Sequence, residues 1–184
     1  MSHKEEHIDT LLQWCLEEKD SAQLEIYNRY YRAMYNASYR IVKNEGEAED
    51  IMQESFLKAF EKLHTFKGEV AFGAWLKRIV INNSIQHYRS QQKMKKVALD
   101  DVLYKVEDNE VSDPDHAFTE LKAQKVMETM DGLKDNYRIS LTLHLVEGYD
   151  YQEISQIMNI SYANCRTTIS RAKESLRKRM SVQY

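Results

Sequence analysis

Residues 150–180 constrain the fold more than any other segment, because their pattern predicts two helices joined by a tight turn. Asp150 and Glu153 have the spacing of a capping box at the start of a short amphipathic helix. Residues 159–161 make the turn, and Ser161 is predicted to cap the second helix. Apolar residues spaced at i, i+4 and i+7 place one face of that second helix in a core: Cys165, Ile169, Ala172, Leu176 and Met180.

The opposite face of the second helix is polar and cationic. Its candidate DNA-contacting residues are Arg166, Thr167, Ser170, Arg171, Lys173, Arg177 and Lys178. A short helix, a turn and a helix of this kind are typical of the helix-turn-helix, in which the start of the second helix approaches base edges and cations farther along meet phosphates. The alternative is a helical hairpin whose charged face is only solvated. Turn, caps, stripe and basic face together favour DNA binding.

Composition predicts an all-α chain. Only one proline and five glycines occur among 184 residues, and the 42% of hydrophobic residues are ample for a core. No apolar run approaches the length of a membrane span, and the N-terminus lacks an apolar signal core, so we expect a cytoplasmic protein. Cys15 and Cys165 each lie in an apolar helical pattern and are expected to be small buried hydrophobes, not a disulfide or metal site.

Charge is strongly segregated along the chain, although the formal net charge is only -3. Residues 66–98 contain seven basic residues and one acidic residue, for a net charge of +6. Residues 99–132 contain ten acids and three bases, for -7, and residues 133–184 contain eight bases and five acids, for +3. Two basic segments separated by an acidic one predict two modules that face nucleic acid on a tether.

The periodicity predicts two small helical domains joined by an acidic linker. The N-terminal domain spans residues 1–96, the linker 97–114, and the C-terminal helix-turn-helix domain 115–184. Within the first domain, Asp20 is expected to cap the second helix and Asn44 the third, and a fourth helix is expected over about 71–92. Helices are also expected over 115–130 and over 135–147, the latter ended by Gly148.

Four segments together resemble the extracytoplasmic-function group of bacterial RNA polymerase sigma factors, over nearly the whole chain. They are residues 48–60, 66–79, 148–154 and 166–172. The resemblance implies that the first segment binds core RNA polymerase, the second belongs to a promoter-melting element, and the last two form the helix-turn-helix that reads the upstream promoter element. It also implies an anti-sigma factor as a partner.

Residues of the polymerase-binding helix follow from this resemblance: Glu49, Asp50, Gln53, Glu54 and Phe56. Their acids suit a basic partner, and the alternative is a merely solvated acidic face. For Asn82 the resemblance implies capture of an unstacked promoter base, while Lys77, Arg78 and Arg89 are placed to follow the single-strand backbone.

Two departures from the family pattern lie near the promoter-melting segment. Val70 stands where a capping Ser or Thr is usual, and Gly73 replaces a larger residue. For Phe72 and Trp75, core packing is favoured over base stacking because both lie on the apolar stripe.

The sequence therefore predicts a sigma factor that binds core RNA polymerase and promoter DNA, with no membrane insertion, enzymatic activity, cofactor or metal. One alternative is a stand-alone dimeric helix-turn-helix regulator with an N-terminal sensing domain, which would need two half-sites. The other, a helical enzyme, has no supporting group of catalytic residues.

Overall fold

The computed structural model describes residues 7–99 and 120–181, and every regular element in these ranges is helical. The described residues form two compact units that divide between Ser90 and Gln91. The predicted all-α class with two helical units is confirmed. The predicted start of the linker is wrong, because residues 97–99 continue the helix expected to end at about residue 92; the rest of the predicted linker lies outside the described residues.

The first unit is built on four helices. They are α1 (Ile8–Leu16), α2 (Asp20–Val42), α3 (Glu45–Glu61) and α4 (Phe72–Leu99), with a 3₁₀ turn at Leu63–Thr65 between the last two. The residues of α4 after Ser90 fall outside this unit. Their apolar stripes meet in a core that includes Leu11, Ile26, Met34 and Leu76, and Ile41 and Ile81 are fully buried as well. The long stripe of α2, predicted to be core, contributes three of these residues.

Tight turns between helices use left-handed residues that are not glycine. Glu18 (φ 59°) lies between α1 and α2, and Lys43 (φ 56°) lies between α2 and α3. Asn44 then caps α3, with its side chain accepting a hydrogen bond from the Glu47 amide at 3.0 Å, as predicted. The predicted Asp20 cap is wrong. The left-handed turn ends at Glu18, and the extended Lys19 that follows occupies the cap position. Asp20 is therefore the first residue of α2 and not its cap.

An aromatic cluster fixes the start of α4. The Phe72 ring, 4% exposed, lies 5.6 Å from the Tyr30 ring and 5.7 Å from those of Phe66 and Trp75, measured between ring centroids. Trp75 is half-buried in the same cluster. Core packing, the role favoured for Phe72 and Trp75, is what these contacts support.

The second unit contains four further helices. They are α5 (Glu120–Asp131), α6 (Asp135–Leu141), α7 (Tyr151–Ile157) and α8 (Tyr162–Ser181), with a π-helical turn at Thr142–Val146. The helix predicted over 135–147 is thus α6 followed by that π turn, and Gly148 (φ 79°) ends it. Fully buried side chains include Met130, Ile139, Leu141, Leu143, Ile154 and Ile169. Across the described ranges of both units, no helix has the length and apolarity that crossing a membrane requires.

Candidate nucleic-acid interface

The predicted helix-turn-helix is present, and its local hydrogen bonds explain its shape. Asp150 Oδ1 accepts from the Glu153 amide at 2.8 Å, and Glu153 Oε2 accepts from the Asp150 amide at 3.0 Å, which completes the capping box of α7. The chain then reverses at Asn159 (φ 46°), and Ser161 Oγ accepts from the Asn164 amide at 3.2 Å to cap α8. Because both helix starts are capped and the turn is short, the direction of α8 relative to α7 is closely defined.

Helix α8 separates a buried stripe from an exposed face as predicted. Cys165, Ile169 and Ala172 are no more than 1% exposed, and Leu176 is 7% exposed. Six of the seven candidate DNA contacts are exposed: Arg166, Thr167, Ser170, Arg171, Arg177 and Lys178. We call the first four the reading face of α8. The seventh candidate, Lys173, is half-buried, and its side chain is directed to His144.

Electrostatics along α8 favour an anionic partner. Arg166 and Arg171 make no ion pair within residues 7–99 and 120–181, so their guanidinium groups are available for bidentate hydrogen bonds. Lys178 pairs with Glu174 at 3.0 Å, and its ammonium group lowers the pKa of that carboxyl. This exposed pair is weak and easily exchanged for a phosphate contact.

Tyr162, which is not among the predicted DNA contacts, is also exposed near the reading face of α8. It is the first residue of α8, 47% exposed, and lies one turn before Arg166. Its signal in the sequence was its place directly after the Ser161 cap.

The two cysteines are structural. Cys15 and Cys165 are free and buried, and burial raises the pKa of both thiols, that of Cys15 to about 11. No group of three or more metal-ligating side chains is present in the parts of the chain that the structure describes.

The adjacent amides of α4 have different environments. Asn83 is half-buried, donates from Nδ2 to Ser55 Oγ at 2.8 Å and accepts from Lys58 Nζ at 3.5 Å, so it ties α4 to α3. Asn82 is exposed and makes no side-chain hydrogen bond to the described residues. Of these two residues, Asn82 is therefore the one whose amide is available for a base edge.

The three cations predicted to follow the single-strand backbone lie on α4 with Asn82. Arg78, Asn82 and Arg89 follow an i, i+4, i+11 spacing and share one face of α4, whereas Lys77 lies to one side. Arg78 is exposed, while Lys77 and Arg89 are half-buried, and all three cations have intramolecular partners.

Four polar residues form an acidic face on α3: Glu49, Asp50, Gln53 and Glu54, all exposed. Gln53 Nε2 donates to Glu49 Oε1 at 3.2 Å, and Glu54 pairs with Lys58 at 2.8 Å. These side chains are arranged on one side of the helix, where a partner with basic side chains can reach them.

Phe56 does not belong to that surface, contrary to the prediction. Its side chain is 2% exposed, and its ring lies 4.9 Å from that of Tyr27, because position 56 falls on the buried stripe of α3. Leu57 is the apolar residue that the surface does present, at 65% exposure. Its signal in the sequence was its spacing of four residues from Gln53 and three from Glu54.

Two family matches cover the two units. Residues 26–94 match Sigma-70 region 2, and residues 123–176 match Sigma-70, region 4. The ECF RNA polymerase sigma factor SigM of Bacillus subtilis is 33% identical over 153 residues, which cover 83% of this chain and 91% of SigM. The ECF RNA polymerase sigma-E factor of Escherichia coli K12 is 30% identical over 156 residues, which cover 80% of this chain and 81% of that protein.

Solved structures share the fold at lower identity. The sigma factor RpoE of Bartonella quintana, solved with the anti-sigma factor NepR, is 19% identical with a TM-score of 0.57, over 87% of this chain and 97% of RpoE. CnrH, solved with the cytosolic domain of CnrY, is 19% identical with a TM-score of 0.54, over 95% of this chain and 97% of CnrH.

Proposed function

Because the chain belongs to the extracytoplasmic-function (ECF) group of RNA polymerase sigma factors, we propose a division of labour between its two helical units. The chain directs promoter recognition and transcription initiation by RNA polymerase. In our proposal the first unit binds core polymerase and captures melted promoter DNA, and the second reads the upstream promoter element. The observation that carries the second role is the capped turn that presents the reading face of α8 to solvent.

Upstream reading rests on the order of side chains along α8. Arg166, Thr167, Ser170 and Arg171 occupy its first three turns, the part of a recognition helix that meets base edges in the major groove. Arg177 and Lys178 lie nearer the C-terminus and are assigned to phosphates, which position the helix without reading sequence.

Polymerase binding is assigned to the acidic face of α3 with Leu57 at its edge. A partner surface rich in Lys and Arg would meet Glu49, Asp50 and Glu54, while Leu57 supplies the apolar contact that such interfaces place among their charged residues. The fully buried Phe56 and the half-buried Tyr27 beneath this face hold α3 in place.

Strand opening is assigned to Asn82. Its exposed amide can donate to and accept from an unstacked base, and Arg78 and Arg89 on the same helix face would attract the phosphates of the separated strand. Asn83 takes no part in base capture in this proposal, because its amide already bonds Ser55.

An anti-sigma factor is the further partner we propose, since the sigma factor RpoE of Bartonella quintana was solved in complex with the anti-sigma factor NepR. Sigma factors are in general DNA-recognition subunits without enzymatic activity. We assign this chain no covalent chemistry and place it in the cytoplasm with the polymerase.

Reconstituted transcription tests the proposal. Core polymerase alone, the chain alone and the two together are incubated with a pool of random-sequence promoters, each linked to its own transcribed barcode, and the barcodes in the run-off transcripts are sequenced. We expect a shared promoter motif only from the mixture, and a relaxed preference at one base pair of its upstream half with Arg171→Ala. Sequence-specific binding of a dimer to duplex DNA without polymerase would instead support the stand-alone regulator.

A further inference from the structure

Lys173 lies on α8 but is directed into the helix-turn-helix. Its Nζ lies 3.1 Å from His144 Nε2 and 3.4 Å from the Tyr151 hydroxyl. The same ammonium group lies 5.8 Å from the centroid of the Tyr151 ring. Three separate elements therefore meet at this side chain: the π turn that carries His144, the first residue of α7 and the middle of α8.

The second nitrogen of His144 defines the protonation of its ring. His144 Nδ1 lies 3.1 Å from the backbone carbonyl of Tyr149, and a carbonyl oxygen only accepts hydrogen bonds, so Nδ1 carries the proton. An ammonium group only donates, so Nε2 must be unprotonated to accept from Lys173. This hydrogen-bond pattern assigns a neutral imidazole with its proton on Nδ1.

The contact has the geometry of an internal tie between helices. The His144 and Tyr151 rings pack with centroids 4.9 Å apart, and Lys173 is half-buried beside them. Position 173 lies four residues after the fully buried Ile169 and seven after Arg166, hence between the core stripe and the reading face, and its hydrogen bonds direct the side chain inward. A phosphate contact would require Lys173 to leave two hydrogen-bond partners and an aromatic ring.

We propose that Lys173 and His144 are positioning residues for promoter recognition and that Lys173 is not a phosphate contact. The Lys173 ammonium, held by His144 Nε2 and the Tyr151 ring, sets the rotation of α8 against α7, and with it the base pair that Arg171 meets. The inference rests on the proposed DNA-reading role of the second unit and reassigns one residue within it.

Salt dependence separates the two roles of a lysine. Each phosphate contact contributes about one unit to the slope of log affinity against log salt, whereas a positioning residue contributes none. The test compares wild-type holoenzyme with Lys173→Met and Lys178→Met holoenzymes, on the promoter selected above and on a copy with a scrambled upstream element. Lys178, which is exposed and pairs with Glu174, is the matched control.

We expect Lys173→Met to lower affinity for the intact promoter with an unchanged salt slope, and to leave binding of the scrambled copy unaltered. Lys178→Met should lower both affinities and flatten the slope. If Lys173→Met flattens the slope by the same amount, the positioning role is refuted. A slope that neither variant changes, together with equal affinity for both promoters, would instead count against DNA reading by α8.

A double-mutant cycle identifies the partner of Lys173. His144→Asn keeps an amide donor near the Nδ1 position but removes the Nε2 acceptor. The double variant should bind the intact promoter no more weakly than the weaker single variant, a coupling of about threefold or more for side chains in contact. Strictly multiplicative losses would overturn the assignment.

Spectroscopy of the unmodified chain provides a readout that does not depend on how the variants fold. Ring ¹⁵N shifts from a histidine-labelled sample at pH 7.5 should show His144 with a protonated Nδ1 and an unprotonated Nε2. Protonation at Nε2 would contradict the hydrogen bond to Lys173 and with it the proposal.

Discussion

The Tyr30 ring lies so close to Gly73 that a methyl group on the Gly73 α-carbon would stand 2.8 Å from Tyr30 Cε1. Tyr30 cannot easily move away, because its ring also packs edge-on against Phe72 at 5.6 Å. The small residue that departs from the family pattern at position 73 is therefore matched by a large residue on α2.

Gly73→Ala should destabilise the first unit. Alanine gains about 1 kcal/mol over glycine in helix propensity, but forcing the Tyr30 ring aside costs about 1 to 3 kcal/mol. We expect a net loss of about 1 kcal/mol in the free energy of unfolding, measured by urea denaturation. Gly46→Ala is the control, since its new methyl group would meet only Asn44 Oδ1 at 3.6 Å, and it should be neutral or slightly stabilising. A Gly73→Ala variant as stable as the control would show that the Tyr30 ring moves aside without a measurable cost.

The neighbouring amides of α4 should give opposite phenotypes. Asn83→Ala removes the bond to Ser55 Oγ, so the free energy of unfolding should fall by about 1 kcal/mol. Asn82→Ala should leave stability unchanged and slow strand opening, because its exposed amide acts only on an unstacked base. Thermal unfolding and permanganate footprinting at fixed polymerase occupancy measure the two effects. Opening at the wild-type rate by the Asn82 variant would remove this residue from the site.

Base contacts and phosphate contacts of α8 should be distinguishable. Arg171→Ala should cost about 1 to 3 kcal/mol on the preferred upstream element and relax preference at one base pair. Arg177→Ala should weaken all sequences alike and reduce the salt slope by about one unit. Holoenzyme binding to a panel of single-base promoter variants checks both. Uniform loss across the panel for Arg171→Ala would reassign it to a phosphate.

Phe56 and Leu57 are adjacent, but alanine at the first should lower stability and alanine at the second should weaken polymerase binding. Phe56→Ala empties a buried site and should lower the free energy of unfolding by about 3 to 5 kcal/mol. Leu57→Ala should leave stability within about 0.5 kcal/mol of wild type and weaken binding to core polymerase, as should Gln53→Ala. Urea denaturation and fluorescence anisotropy with labelled chain measure these quantities. Undiminished polymerase affinity in the combined Gln53→Ala, Leu57→Ala variant would move the docking surface elsewhere.

Thiol labelling should report the burial of Cys15. Burial raises the pKa of this thiol from its ordinary 9.0 to about 11, so between these values the folded thiol stays protonated while an unfolded one ionises. Its contribution to stability is therefore complete below about pH 9 and declines as pH rises toward 11. In a Cys165→Ala variant, the reaction of Cys15 with a disulfide reagent at pH 8 should be slow and should accelerate with urea. Immediate labelling in native buffer would contradict the burial.

Local signals predicted most of the second unit. The capping box at Asp150 and the Ser161 cap depend on residues within three positions, so the spacing alone placed both helix starts. The cap at Asp20 was predicted wrongly because the left-handed residue after α1 is Glu18, and glutamate is not a typical turn residue.

The candidate site was less predictable where it depends on tertiary contacts. Phe56 and Leu57 are adjacent large apolar residues, and only the packing of α3 against Tyr27 decides which one faces the core. Lys173 looks like its neighbouring cations in the sequence, because its partner His144 is 29 positions away. Contacts between residues so far apart in the chain leave no periodic pattern in the sequence.

Glu18, with its left-handed backbone between α1 and α2, shows that this scaffold is not as heat-resistant as it could be. A side chain in that conformation costs roughly 1 kcal/mol that glycine does not pay. The Glu18 side chain is exposed, so glycine at this position should raise the melting temperature. Since neither α3, α4 nor α8 is altered by that change, the sturdier protein would serve as a background in which damaging variants of the functional surfaces can still be purified and assayed.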